Sequence, residues 1–114
     1  MTFSDVLDAV SAEILNKGKN FESQKIRHIV ACDLMSDVLV TEYEEILLVT
    51  SLPSEQTART ADMVGAAGIL LVNGKAAQSG LAELCRKQNL TLLRTPCSTF
   101  ETCWRLGGRQ GALS

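Results

Sequence analysis

Histidine occurs once in the 114 residues, and aromatic side chains make up only 4% of them. So few rings leave little from which to build a base-stacking platform. Basic charge is not in excess either. Eleven Lys and Arg stand against thirteen Asp and Glu, giving a net charge of -2 and a pI of about 5.3. The cations are scattered, so the chain lacks the footprint that nucleic acid or an anionic membrane requires. Its longest apolar runs, Ile46 to Val49 and Ala66 to Val72, fall far short of the roughly 20 residues of a membrane span. The four cysteines are 53, 12 and 6 positions apart, with no C-x-x-C pair of the kind zinc sites use. No secretory leader precedes the amphipathic opening Met1-Thr2-Phe3-Ser4-Asp5, and a cytoplasmic protein with reduced thiols is the expectation. Glycine-rich nucleotide fingerprints are absent too, since Val72-Asn73-Gly74-Lys75 has neither the Walker nor the dinucleotide spacing.

What is present is apolar residue in quantity, 46% of the chain, enough for one core and one domain. Thr2 with Asp5 forms a helix-start signature, followed by Phe3, Val6, Leu7 and Val10 at helical spacing. Glu13-Ile14-Leu15 reads as a short strand, Lys17 to Lys25 as a polar loop, and Ile26 to Cys32 as a second strand. Asp33 is placed to cap a helix carrying Leu34, Met35, Val38 and Leu39.

The strongest internal signal is a repeat. Ile46-Leu47-Leu48-Val49 recurs as Ile69-Leu70-Leu71-Val72, 23 positions later, and Leu90-Thr91-Leu92-Leu93 is a looser third copy. Short continuous apolar runs, each followed by a polar turn and a helical segment, describe parallel strands covered on both faces. Ala58, Ala61 and Val64 supply the apolar side of one intervening helix, and Leu81, Leu84 and Cys85 that of the next. Ser98-Thr99-Phe100-Glu101 opens a last helix, on which Phe100, Cys103 and Trp104 form a stripe expected to face the core. Gly107, Gly108 and Gly111 are expected to end it. The fold class is therefore α/β: a three-layer domain over residues 1–106 with a mostly parallel central sheet of about five strands and helices on both faces, then a flexible tail over 107–114.

Cys32-Asp33-Leu34-Met35-Ser36-Asp37-Val38-Leu39, the strand Ile46 to Val49, Ala66-Ala67-Gly68-Ile69-Leu70-Leu71 and Thr95-Pro96-Cys97-Ser98-Thr99-Phe100-Glu101-Thr102 together resemble the DRTGG domain family. The resemblance covers nearly the whole chain. It implies a fold like the N-terminal domain of HPr kinase/phosphorylase, also found beside CBS domains in regulated pyrophosphatases. In that company the domain is an accessory for regulation or subunit association and not the catalytic part. The family's acidic and basic pair after the first central strand is here Ser51-Leu52-Pro53, and its Thr-Gly-Gly is Val72-Asn73-Gly74, so only Gly74 matches. No binding role is carried over through those residues.

Ligands of open parallel sheets lie beyond the carboxyl ends of the strands. Thr50, Ser51, Asn73, Gly74, Lys75, Thr95 and Ser98 each follow a strand closely. Hydroxyls, a glycine, an ammonium and helix-start N–H groups at such a rim suit an anion, although Ser and Thr there also serve as caps and Asn-Gly as a turn. The reading is a non-catalytic regulatory protein, expected to form a homodimer, to modulate a partner enzyme and to take a small anion such as an adenine nucleotide, with no cofactor. The alternative is a thiol-based redox or metal-handling accessory protein using Cys97, just before a helix start, with Cys32 or Cys103. An enzyme is not expected, because Cys97 has no base: His28, the sole histidine, belongs to a strand.

Overall fold

The computed structural model describes residues 1–110. Its elements run α1 (Phe3–Val10), β1 (Glu13–Asn16), β2 (His28–Ala31), α2 (Met35–Val38), β3 (Ile46–Thr50), α3 (Glu55–Val64), β4 (Gly68–Leu71), α4 (Ser79–Gln88), β5 (Thr91–Arg94) and α5 (Thr99–Gln110). The sheet order is β1-β5-β4-β3-β2, with β1 antiparallel to β5 and every other pair parallel.

The repeated apolar tetrads become β3 and β4, every residue of which is buried. Leu48 pairs with Ile69 and Val49 with Leu70. The two copies of the repeat are thus offset by two positions along the ladder, and an even offset keeps equivalent side chains on the same face. One face carries Leu48, Ile69, Leu71 and Leu92, packed on Met35 and Val38 of α2, Ala58 and Ala61 of α3, and Leu81 and Cys85 of α4. The other carries Leu47, Val49, Leu70 and Leu93 against Phe3, Val6 and Val10 of α1 and Leu106 of α5. Three layers result, as the sequence pattern predicts.

Local chemistry sets the element boundaries. The Thr2 hydroxyl accepts from the Asp5 N–H at 3.3 Å and the Asp5 carboxylate accepts from the Thr2 N–H at 2.9 Å, a reciprocal cap that starts α1. Gly65 at φ 66° and Asn89 at φ 55° end α3 and α4 in the left-handed conformation those two residue types tolerate best. Gly68 answers a different need. A Cβ there would lie 2.7 Å from two Phe3 ring carbons, so the missing side chain is what lets the ring sit over β4.

Three expectations are corrected. Asp33 does not cap α2, whose N-cap is Leu34 without a side-chain bond; its carboxylate turns to β3 instead. The final helix does not stop at Gly107 but continues through Gly107 and Gly108 to Gln110, while the rest of the proposed tail, 111–114, lies outside the described residues. Phe100 and Trp104 are not core: they are 80% and 70% exposed on the outer side of α5. The face of α5 that meets the sheet is marked by Thr102 and Leu106, four residues apart and both fully buried. Phe21, in the loop between β1 and β2, is buried and stacks on Phe3 with ring centroids 5.4 Å apart.

Candidate functional site

The chain leaves β3 for α3 and β4 for α4 on one face of the sheet, but leaves β5 for α5 on the other. Connections therefore diverge between β4 and β5, which is where an open α/β sheet has its natural crevice. Most of the seven rim residues gather around that carboxyl edge, in two groups.

Thr50 and Ser51 form the first group, and both are already engaged. The Thr50 hydroxyl donates to Asp33 Oδ1 at 2.9 Å, the Ser51 N–H donates to the same oxygen at 2.8 Å, and the Ser51 hydroxyl donates to Oδ2 at 2.7 Å. An internal carboxylate thus occupies the donors that an external anion was expected to use. These bonds, the Ser51 N–H foremost, hold the Asp33 carboxyl below its usual value of 3.8, with the Lys75 ammonium contributing. Asp33 was missed as a rim residue because it was read as a cap. It follows β2 as Thr50 and Ser51 follow the neighbouring parallel β3, so the same strand-end rule locates it.

Asn73, Gly74, Thr95 and Ser98 form the second group. The Asn73 N–H donates to the Cys97 carbonyl at 2.7 Å and the Gly74 N–H to the Thr95 carbonyl at 2.9 Å, so the two loops are stitched across the crevice by their own backbones. Arg94 adds a bond to the Gly74 carbonyl at 3.3 Å. Thr95 is fully buried; its hydroxyl donates to the Val10 carbonyl and accepts from the Cys97 N–H. Ser98 caps α5, its hydroxyl accepting from the Glu101 N–H at 3.1 Å. The outward polar groups of the edge are the exposed Lys75 ammonium, the Asn73 amide, which reaches the Thr99 hydroxyl at 3.4 Å, and the Asp33 carboxylate. Lys75 is the one cation among the seven.

Two clefts open elsewhere. One, about 570 Å³, lies at the amino ends of the strands between Tyr43, Glu44, Glu45, Asp62, Gly65, Gln88 and Asn89. Its three carboxylates and the C-terminal ends of α3 and α4 give it a negative potential that disfavours anions. The other, about 720 Å³, is a shallow groove between α1 and α5 lined by Asp8, Ala9, Cys103, Trp104, Arg105, Gly107 and Gly108.

All four cysteines are free thiols. Cys97 is buried with its thiol directed at the Val10 carbonyl 3.6 Å away, and it belongs to the α1/α5 side of the sheet. Cys32 packs on the α2/α3/α4 side, so the sheet separates the two. Burial pushes the Cys85 thiol up to about 11 and raises that of Cys103. His28 stacks on Tyr43 with centroids 4.4 Å apart and places Nδ1 3.3 Å from the Glu44 carbonyl, as a strand residue with a structural contact. Among the described residues, no three of His, Cys, Asp and Glu gather where they could hold a metal ion, and no helix is long and apolar enough to cross a membrane.

Comparison with solved structures finds the same fold in the crystal structure of the CBS and DRTGG domains of the regulatory region of Clostridium perfringens pyrophosphatase, complexed with its activator diadenosine tetraphosphate. The TM-score is 0.72 at 17% identity, over 92% of this chain and 45% of that one. This chain therefore spans less than half the length of that regulatory-region chain. No curated protein matches it. The family model of the DRTGG domain aligns with residues 5–108, from within α1 to within α5. The chain belongs to the DRTGG domain family.

Proposed function

We propose that this chain is a non-catalytic regulatory module that self-associates, modulates a partner enzyme, and responds to a small anion of the adenine-nucleotide class at the carboxyl edge of its sheet. The observation that carries the reading is its likeness to a regulatory region solved with a nucleotide activator. Lys75 is the residue that would meet a phosphate, as an exposed ammonium on the loop after β4, with the Asn73 amide beside it. Thr50 and Ser51 act one step back, holding Asp33. That carboxylate makes the edge mixed in charge and so selective against weakly held anions.

The test is thermal unfolding of the full chain with diadenosine tetraphosphate, ATP, AMP and inorganic phosphate. A ligand present at 100 times its Kd stabilises the folded state by about 2.7 kcal/mol, which raises Tm by roughly 10 °C or more in a domain of this size. The expected result is a rise with at least one nucleotide and a smaller rise in Lys75→Ala. No shift with any nucleotide at millimolar concentration, or an equal shift in Lys75→Ala, overturns the ligand assignment.

A further inference from the structure

The cleft of about 570 Å³ at the amino ends of the strands lies at the opposite end of the sheet from the edge proposed for the anion. Its volume suits a small molecule, and no Lys or Arg is among the residues that line it. Glu45 is answered by Arg27 at 3.1 Å. Among the described residues, no cation stands within ion-pair distance of Glu44 or Asp62. Asp62 also occupies the last turn of α3, where the helix dipole is already negative and an acid is disfavoured, and that turn holds no basic residue. The last turn of α4 does hold Arg86 and Lys87, but both reach back to Glu83, at 3.4 and 3.8 Å. Gly65 and Asn89, which end the two helices, line the cleft. A separate observation points the same way. Gln88, the last residue of α4 and part of the same wall, has its Oε1 buried without a hydrogen-bond partner among the described residues, a state that costs free energy unless a donor is supplied. Tyr43, 55% exposed, adds an aromatic surface of the kind that cations favour.

We infer that this cleft binds a small organic amine, a molecule carrying one or more ammonium or guanidinium groups. Its positive charge is held by Asp62 and Glu44 and by the carboxyl ends of α3 and α4, and its N–H groups supply Gln88 Oε1 with the donor that the chain lacks. A metal ion has the right sign but the wrong reach. Its ligands must converge to about 2.0–2.6 Å from one point, and among the described residues no three His, Cys, Asp or Glu side chains gather in that way. An organic cation spreads its donors over several ångströms and so serves carboxylates that stand apart. A nucleotide or other anion meets only repulsion here. Water alone would satisfy the Gln88 oxygen, but it brings no charge against Asp62 at the end of α3. An acid set against a helix dipole weakens the fold, and such a breach of a local rule is expected where a bound ligand offsets it.

The test is amide chemical-shift mapping and calorimetry of the full chain with putrescine, agmatine and spermidine, set against sodium and magnesium chloride at equal ionic strength. The expected result is saturable binding of at least one amine at millimolar concentration or below, with shifts centred on Glu45, Gly65 and Asn89. Asp62→Asn weakens that binding by about tenfold, yet leaves the free chain at least as stable, because it takes an acid away from the negative end of α3. Gln88→Met, similar in length and without the acceptor, weakens binding as well and does not destabilise the fold. Asp8→Asn, which removes an equal charge from the groove between α1 and α5, leaves binding unchanged. A fold no weaker than before, paired with poorer binding, is something a folding defect cannot produce. Absence of saturable binding by all three amines overturns the proposal. So do the same shifts with either salt alone, or an equal loss of affinity in Asp8→Asn and Asp62→Asn, since each would reduce the effect to general attraction or to a metal ion. None of these results bears on the anion proposed for the other end of the sheet.

Discussion

Replacing Asp33 with alanine removes three hydrogen bonds at one stroke, two from side-chain hydroxyls and one from the Ser51 N–H, at 2.7 to 2.9 Å. A hydrogen bond to a charged group contributes about 1.5–3 kcal/mol when sheltered from water. Asp33 is solvent-exposed, however, so water replaces much of what is lost, and the net cost is about 1–2 kcal/mol at neutral pH. Asparagine keeps one oxygen for Thr50 and the Ser51 N–H, and Asp33→Asn is therefore expected to lose less than half as much. The carboxyl is held below 3.8 in the folded protein, chiefly by the Ser51 bonds. A depressed folded pKa means stability that is fully present above the unfolded value and lost as pH falls through the folded one. Wild type and Asp33→Asn should thus converge in stability on acidification below pH 3.8, and differ above it. Urea unfolding at several pH values measures both effects. Alanine and asparagine variants each within 0.3 kcal/mol of wild type at pH 7, with no pH-dependent difference, would refute the claim that this carboxylate ties β2 to β3.

Gly68→Ala places a methyl group 2.7 Å from the Phe3 ring, and is expected to cost about 1–3 kcal/mol in chemical denaturation; Phe3→Leu in the same chain should recover part of the loss. Leu71→Ala empties a fully buried position on the α2/α3/α4 side of the sheet, and should cost about 2–5 kcal/mol, seen as a lower denaturation midpoint at unchanged slope. Thiol titration of the native chain should find Cys85 and Cys97 protected and Cys32 and Cys103 accessible, since the first two are buried and the others half-buried. Fast reaction at Cys97 would revive a thiol-based activity.

The parts of this fold legible in the sequence are those whose physics is local or periodic. Apolar tetrads buried on both faces specify β3 and β4 without help from tertiary context, and the Thr2–Asp5 cap needs only residues three apart. The parts that were not legible depend on distant contacts. Asp33 is as good a cap by type as it is a tether, and only the parallel pairing of β2 with β3 decides between them. The stripe Phe100, Cys103 and Trp104 has the right spacing for a core, but α5 turns Thr102 and Leu106 inward, and the burial of the threonine runs against its hydropathy. Gly107 and Gly108 read as a helix end and instead stay helical. At the rim, sequence placed the chosen loops at the carboxyl edge. It did not reveal that the Asn73 and Gly74 N–H groups donate to carbonyls of the loop after β5, or that the Thr95 hydroxyl donates to Val10 at the end of α1, because such bonds between distant segments leave no trace in residue type.

Amide chemical-shift mapping of the isotope-labelled chain during titration with diadenosine tetraphosphate tests most directly whether a nucleotide-type anion meets the carboxyl edge. Saturable shifts centred on Asn73, Gly74, Lys75 and Ser98, lost in Lys75→Ala, are the result expected. Shifts centred instead on Glu45, Gly65 and Asn89 at the amino ends of the strands, or none at millimolar ligand, would contradict it.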